Sequence, residues 1–361
     1  MNYQELFDQQ KAYFQTHLKQ STAKVRIAKL RKMKKWIFAH QEDLRKAVYE
    51  DFRKPAHEVD MTEMLPVIVE LKDAIANLRE WMRPKKVGAP MAMLTTSARV
   101  HYEPKGNSLI LAPWNFPFML TVSPMVSAVA AGCAMVIKPS EYAPATSAHI
   151  EKMIKSIFDP AEATLLHGDY RVAEALTALP FDHIFFTGSP QVGKKVMHAA
   201  AEHLASVTLE LGGRNPVIVD DTANLKDAAK KLIWGKFLNA GQSCMSPNYI
   251  MVHEKVYDKF LALIQSTFQK MYPEHHGNMQ QSPDFARVIS ERHLQRLAGL
   301  VDATVEAGAK ILIAGDRDPS DNYLPPTILH DVPVDAPVME DELFGPVMPI
   351  MKVRSLDDAL S

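Results

Sequence analysis

Cysteine is almost missing from this chain: Cys133 and Cys244 are the only two in 361 residues. Two thiols cannot build a disulfide framework, and the start Met1-Asn2-Tyr3-Gln4-Glu5 lacks the basic-then-apolar pattern of a secretory signal, so a reducing cytoplasm is the expected setting. An excess of charge is missing too. Lys and Arg number 41 against 42 Asp and Glu, which removes the global field that would draw the chain to nucleic acid or anionic lipid. The expected partner is a small molecule held in a pocket. Lys29, Arg31, Lys32, Lys34 and Lys35 form a basic cluster, and they fall on the polar side of a helical pattern, as a solvated face does. Between Gly106 and Ile137 there is no charged residue at all, yet Pro113, Asn115, Pro117, Ser123, Pro124 and Ser127 break the stretch. A membrane span needs about 20 predominantly apolar residues without such breaks, so the stretch reads as strand, loop, buried helix and strand. Internal repeats and low-complexity tracts are absent as well.

What is present is core. With 47% hydrophobic residues the chain can bury a large interior, and its length favours two or more domains. From Ser21 to Phe52, Ile27, Leu30, Trp36, Ile37, Leu44, Ala47 and Val48 recur at helical spacing, and a second amphipathic run covers Met64 to Met82. Beyond Pro104 short apolar runs alternate with helical segments: strands are expected at Ser108–Ala112, Ala134–Lys138, Ala163–His167 and His183–Thr187, with helices near 119–131, 145–158 and 170–178. That alternation implies a parallel sheet. A second series has strands at Val207–Leu211, Pro216–Val219, Tyr249–His253, Ile311–Ala314 and Val347–Val353, with helices near 224–240, 255–270 and 284–307. The expected fold class is α/β, with two parallel-type domains. Residues 1–206 hold the N-terminal helices and a Rossmann-like dinucleotide-binding domain, and residues 207–361 hold a catalytic thiol domain. His275-His276-Gly277 reads as a loop. Ser355 is a good N-cap, with Asp357 and Asp358 in the first turn of a helix that stops at Ser361 before two turns are complete.

Two segments suggest a cofactor. After the apolar strand ending at Thr187, Gly188 permits a tight turn, Ser189 can cap the next helix and Pro190 suits its first position, leaving amides to face a pyrophosphate. Pro190 stands where a G-x-G-x-x-G fingerprint needs its middle glycine, so Gly188 and Gly193 match only the outer positions. Lys138 and Glu141 follow a strand end, where open α/β sheets bind ligands, and a carboxylate there accepts from ribose hydroxyls and repels a 2′-phosphate. NAD is thereby favoured, with NADP possible. Three further residues suggest chemistry. Cys244, in the loop-like segment Asn239-Ala240-Gly241-Gln242-Ser243-Cys244, is the candidate nucleophile, with Gly241 allowing close backbone approach to a ligand, whereas Cys133 reads as a small buried hydrophobe. A thiolate that adds to an aldehyde creates an oxyanion, for which the Asn115 amide and the Cys244 backbone N–H are donors. Glu210, between Leu209 and Leu211, is a candidate base whose apolar neighbours are expected to raise its pKa. No metal-ligand set is expected.

Taken together, Pro113-Trp114-Asn115-Phe116-Pro117-Phe118, Lys138-Pro139-Ser140-Glu141, Phe186-Thr187-Gly188-Ser189 to Gly193, Leu209-Glu210-Leu211-Gly212-Gly213, Gly241-Gln242-Ser243-Cys244 and Glu342-Leu343-Phe344-Gly345-Pro346 resemble the aldehyde dehydrogenase family in its order. Ser246-Pro247-Asn248-Tyr249 after the thiol resembles its class 3 branch, which acts on medium-chain, fatty or aromatic aldehydes. The resemblance implies Cys244 as nucleophile, Glu210 as general base and Asn115 as oxyanion donor. It implies Trp114, Gly188, Ser189, Gly193 and Leu211 around the cofactor, Lys138 and Glu141 at the adenosine ribose, and Glu342 and Phe344 at the nicotinamide ribose and ring. A homodimer is expected of the full-length family. Family members continue past Glu342-Leu343-Phe344-Gly345, so the chain is expected to lack their C-terminal part. The alternatives are a dinucleotide-binding chain without turnover and a cysteine hydrolase. No histidine lies in a motif resembling a thiol-activating partner for the latter.

Overall fold

The computed structural model describes residues 2–93, 95–273 and 279–361. The expected loop at His275-His276-Gly277 lies outside them. The contacts divide the chain into one unit of residues 1–48 and 59–211 and another of residues 49–58 and 212–361. Sequence places that division near residue 206 and gives no hint of the excursion at 49–58.

In the first unit, β1 (Lys85–Val87) and β2 (Ala98–Val100) form a small antiparallel hairpin. Its strands are too short and too charged to read from the sequence. The main sheet has β3 (Asn107–Leu111), β4 (Ala134–Lys138), β5 (Ala163–Leu165), β6 (His183–Gly188) and β7 (Ser206–Leu211) in the order β5-β4-β3-β6-β7, all parallel. Every residue of β3 and β4 is buried, as expected of parallel strands covered on both faces. Leu109 and Leu111 pack with Leu6, Phe7, Phe181, Ile184 and Val196 on one face. The chain lays down β3, β4 and β5 toward one edge and returns for β6 and β7 on the other side of β3. Strand order therefore reverses between β3 and β6, and ligands of open α/β sheets bind at the carboxyl ends beside such a reversal. The expected run from Ser21 to Phe52 is two helices, Ala23–Ala39 and Gln41–Phe52, separated at His40.

The strand ending at Leu211 belongs to this first sheet, paired along β6 from His183↔Ser206 to Gly188↔Leu211. It closes the first domain and does not open the second, because its apolar face completes the core that Ile184 and Phe186 begin.

The second unit carries β8 (Pro216–Val219), β9 (Tyr249–His253), β10 (Lys310–Ile313), β11 (Thr327–His330) and β12 (Val347–Val353) in the order β10-β11-β12-β9-β8. All neighbours are parallel except β10 with β11. Residues 314–326 between β10 and β11 hold only the short turn Pro319–Asp321, and the chain doubles back there into the one antiparallel pair. Helices Leu225–Phe237, Tyr257–Met271 and Glu291–Glu306 accompany the sheet. Residues 49–58 join this unit: the Arg287 N–H donates to the Phe52 carbonyl at 2.8 Å, and Arg53 pairs with Asp321 at 2.9 Å. Ser355 accepts from the Asp358 N–H and caps a last helix, Leu356–Leu360. Among the described residues no helix is long and apolar enough to cross a membrane, and no group of acidic, histidine or cysteine side chains suits a metal ion.

Candidate active site

At the end of β6 the Ser189 hydroxyl accepts from the Val192 N–H at 3.4 Å, and Pro190 takes the first position of the helix Pro190–Ala201. The two glycines here serve packing. A Cβ on Gly193 would lie 2.8 Å from Leu211 Cδ2, and one on Gly188 would lie 2.5 Å from the Phe186 ring. Close helix-to-strand packing is the task of the last glycine in dinucleotide turns, and here it sets the helix N-terminus directly over the sheet. Thr187 Oγ1, just before the turn, is buried without a hydrogen-bond partner.

Beside this turn lies a cavity of about 650 Å³ lined in part by Lys138, Glu141, Tyr170, Phe186 and Val192. Lys138 is buried, and its Nζ donates to Glu141 Oε2 at 2.9 Å. An ammonium and a carboxylate at the carboxyl end of β4, a helix N-terminus at the carboxyl end of β6 and an apolar wall between them suit the adenosine and phosphate parts of a dinucleotide.

The loop after β3 carries Trp114, half-buried, and Asn115, 3% exposed. This loop runs into the helix Met119–Ala131, whose first N–H donates to the buried Glu63 carboxylate at 2.9 Å. Glu210 differs from expectation. It is exposed at the end of β7, because successive side chains of a strand point to opposite faces. Leu209 and Leu211 therefore lie on the other side of the sheet from it.

In the second unit the helix Leu225–Phe237 runs into Leu238–Gly241, where Asn239, Ala240 and Gly241 all have left-handed backbone, with φ of 54°, 51° and 73°. Gly241 is required by the protein's own backbone. A Cβ there would lie 2.2 Å from the Gly345 carbonyl oxygen. Gln242 is fully buried. Its Nε2 donates to the carbonyls of Asn239 (3.0 Å) and Arg287 (2.9 Å), and its Oε1 accepts from the Ile289 N–H at 2.9 Å. Two residues on, Cys244 is a partly exposed thiol, and Asn215 Nδ2 donates to its carbonyl at 2.7 Å and to that of Ser246 at 3.0 Å. The buried Gln242 on one side and the half-buried Asn215 on the other thus fix the backbone that carries the sulfur. Cys133 is buried in the first unit, as expected of a small hydrophobe.

Lys236 is 1% exposed, and its Nζ donates to the Pro247 carbonyl at 2.8 Å, beyond the thiol. Burial holds its pKa well below the usual lysine range, at about 7, against the pull of the Glu342 charge. Glu342 is half-buried. Burial pushes its carboxyl up, opposed by a backbone hydrogen bond from Gly213. Its Oε2 occupies the space a Cβ on Gly212 would fill, 2.0 Å away, and its Oε1 is buried with no hydrogen-bond partner. Such an oxygen suits a ligand hydroxyl. Phe344, two residues on, has φ of 53°. Asn215 and Lys236 carry no motif in the sequence and Gln242 stands there only as part of Gly241-Gln242-Ser243-Cys244; a lysine at helical spacing from Leu232 and Ile233 is the one sign of a buried polar group.

Known proteins resemble this chain along nearly all of it. The profile of the aldehyde dehydrogenase family matches residues 2–361. The chain is 40% identical to a putative aldehyde dehydrogenase, AldX, of Bacillus subtilis over 357 residues, 99% of the chain and 80% of AldX. It is 39% identical to the 4,4'-diaponeurosporen-aldehyde dehydrogenase of Staphylococcus aureus over 360 residues, 99% of the chain and 76% of that protein. It is 38% identical to human aldehyde dehydrogenase family 3 member B1 over 338 residues, 94% of the chain and 70% of that protein. Among solved structures, a substrate-bound state of Staphylococcus aureus AldH matches with a TM-score of 0.94 and 38% identity, covering 100% of the chain and 77% of that one. A Staphylococcus aureus betaine aldehyde dehydrogenase in complex with NAD+ matches at 0.87 with 25% identity, covering 99% of the chain and 71% of that one.

Proposed function

Since the chain belongs to the aldehyde dehydrogenase family, and is accordingly an NAD(P)-dependent enzyme that oxidises an aldehyde to its acid, we propose that the Cys244 thiolate is the nucleophile of that reaction. The observation that carries this reading is the backbone around the sulfur: a strained left-handed turn on one side, the Asn215 amide on the other, and a partly exposed thiol between. A sulfur held in one orientation loses little entropy on the way to attack. It bonds to the carbonyl carbon while the carbonyl electron pair moves to oxygen, and the Asn115 amide and the Cys244 N–H are the proposed donors to that oxygen. NAD(P), when bound, accepts the hydride that leaves the same carbon. The thioester remaining on Cys244 is then split by water, whose proton passes to Glu210. Exposure of Glu210 supports this role by keeping its carboxylate in contact with water.

For the cofactor, the reading assigns Lys138 and Glu141 to the adenosine ribose, Trp114, Gly188, Ser189, Gly193 and Leu211 to the walls and phosphate turn, and Glu342 and Phe344 to the nicotinamide end. The orphan Glu342 oxygen and the Lys138–Glu141 pair support it. For the substrate we infer a medium-chain, fatty or aromatic aldehyde, in keeping with the resemblance to family 3. A homodimer and a cytoplasmic setting complete the reading. The test is Cys244→Ala, with Cys133→Ala as control, followed by absorbance of the reduced nicotinamide and by NAD titration. Loss of turnover with NAD binding intact in the first variant only is expected. Undiminished turnover in Cys244→Ala overturns the assignment.

A further inference from the structure

The left-handed turn before Cys244 contains two residues, Asn239 and Ala240, that are not glycine. L-residues avoid this conformation, and two in succession persist only where the surroundings over-determine them. Some of the restraints are internal to the turn. Asn239 Nδ2 donates to the Gln242 carbonyl at 3.1 Å, and Gln242 Nε2 returns to the Asn239 carbonyl at 3.0 Å. These bonds close the turn but do not aim it.

The outside anchors have a common origin. The Asn239 N–H donates to Glu58 Oε2 at 2.8 Å, across 181 positions of sequence. Gln242 is held by Arg287 and Ile289, and the Arg287 N–H is itself bonded to the Phe52 carbonyl. Both routes lead back to residues 49–58. Glu58 is 5% exposed, and Lys54 beside it has no exposure. Burying a carboxylate costs free energy unless it is paired and hydrogen-bonded. A segment needed only for packing has no use for one, whereas a carboxylate that accepts a backbone amide makes a strong, directional bond.

We propose that Glu58 is a positioning residue for the nucleophile: by accepting the Asn239 amide it holds the left-handed turn that aims Cys244. This rests on the assignment of Cys244 made above. Among the described residues, the groups that act on Glu58 include Lys54 on its own segment, Asp284 ahead of the 285–289 stretch, and Tyr272 at the end of the helix Tyr257–Met271. Burial pushes the Glu58 carboxyl up to about 7, and Lys54 and the Asn239 amide pull it back. Its role is that of an acceptor, which an uncharged amide oxygen can also fill.

The experiment compares Glu58→Ala, Glu58→Gln and wild type as full chains. It measures the rate of iodoacetamide labelling at Cys244 by peptide mass, with turnover, NAD affinity and thermal melting on the same samples. Loss of a bond to a charged acceptor predicts labelling and kcat lower by about tenfold to a hundredfold in Glu58→Ala, with NAD affinity unchanged and KM for aldehyde changed less than kcat. Glu58→Gln should restore both rates to within about threefold of wild type, as no merely packing role predicts. Equal rates in Glu58→Ala and wild type overturn the proposal. So does a Glu58→Gln variant as slow as Glu58→Ala. If Glu58→Ala does not fold, Glu58→Asp takes its place: its oxygen falls short of the Asn239 amide, so labelling slows, and a wild-type rate overturns the proposal. Labelling reads the thiol without any turnover, so a failed nucleophile assignment, shown by an active Cys244→Ala, is told apart from a failed brace.

Discussion

Gly241→Ala perturbs the nucleophile turn in a way whose size follows from its geometry. With φ at 73°, alanine there costs about 1–2 kcal/mol in backbone strain alone. The new Cβ would lie 2.2 Å from the Gly345 carbonyl oxygen and 2.5 Å from its carbon. Neither atom can give way as a side chain can. The Gly345 carbonyl accepts from the Val347 N–H at 2.9 Å, the Leu343 N–H is bonded to Asn248 Oδ1 at 2.8 Å, and Arg296 holds the Leu343 carbonyl at 2.6 Å. Overpacking of this kind adds about 1–3 kcal/mol, for a total of roughly 2–5 kcal/mol. At about 2–4 °C per kcal/mol the melting temperature should fall by about 4–20 °C, and turnover should fall with it even well below melting. The control is Gly299→Ala, on the helix Glu291–Glu306, where a Cβ would meet nothing within 4 Å. That change should stabilise by about 0.5–1 kcal/mol. Thermal denaturation followed by circular dichroism, with aldehyde-dependent reduction of NAD as the activity, gives both numbers. A Gly241→Ala protein that melts within about 1 °C of wild type and turns over normally refutes the reasoning.

Gly212→Ala should act differently, because the atom a Cβ would meet is the mobile end of Glu342. The fold should survive with little change in melting temperature, while the KM for NAD(P) rises several-fold as the carboxylate is displaced; an unchanged KM counts against a cofactor role for Glu342. Asn115→Ala removes a proposed oxyanion donor and should lower kcat by about 10²–10³ with NAD affinity intact, measured by steady-state kinetics and NAD titration. Lys236→Met addresses pH. The folded-state pKa of Lys236, about 7 by burial, lies below its unfolded value near 10.4, so the unfolded chain binds the extra proton between those limits. The penalty for burying the ammonium is therefore full below pH 7 and is relieved as pH rises toward 10. Wild-type stability should gain relative to Lys236→Met over that window, by at most roughly 1.4 kcal/mol per pH unit. Urea unfolding at pH 7 and pH 9 checks it, and parallel curves for the two proteins contradict it.

Much of the fold was legible because parallel strands buried on both faces leave continuous apolar runs: Ala134–Lys138 matches its strand at both ends. The capped turn at Ser189-Pro190 was legible for a local reason, since N-cap and first-turn chemistry act over four residues. Thr327–His330 was not, as it follows Pro325-Pro326 and is only four residues long. The apolar surroundings expected for Glu210 are not found, because its sequence neighbours Leu209 and Leu211 fall on the opposite face of the strand. Asn215, Lys236 and Glu58 escaped notice for a common reason. Each supports the thiol loop through a backbone carbonyl or amide, and backbone groups carry no sequence signal. Lys236 alone left a trace, as a lysine on the buried side of the helix Leu225–Phe237.

Residues 49–58 have a consequence for assembly on the ribosome. They emerge early, but their partners at Asn239, Arg287 and Asp321 are made some 180 to 270 positions later. Until then Glu58 lacks the backbone amide it accepts from in the folded unit. Cutting the gene at codon 212 would accordingly yield a downstream half without the carboxylate that steadies its own thiol loop, and adding a peptide spanning residues 49–58 is the natural complementation to try.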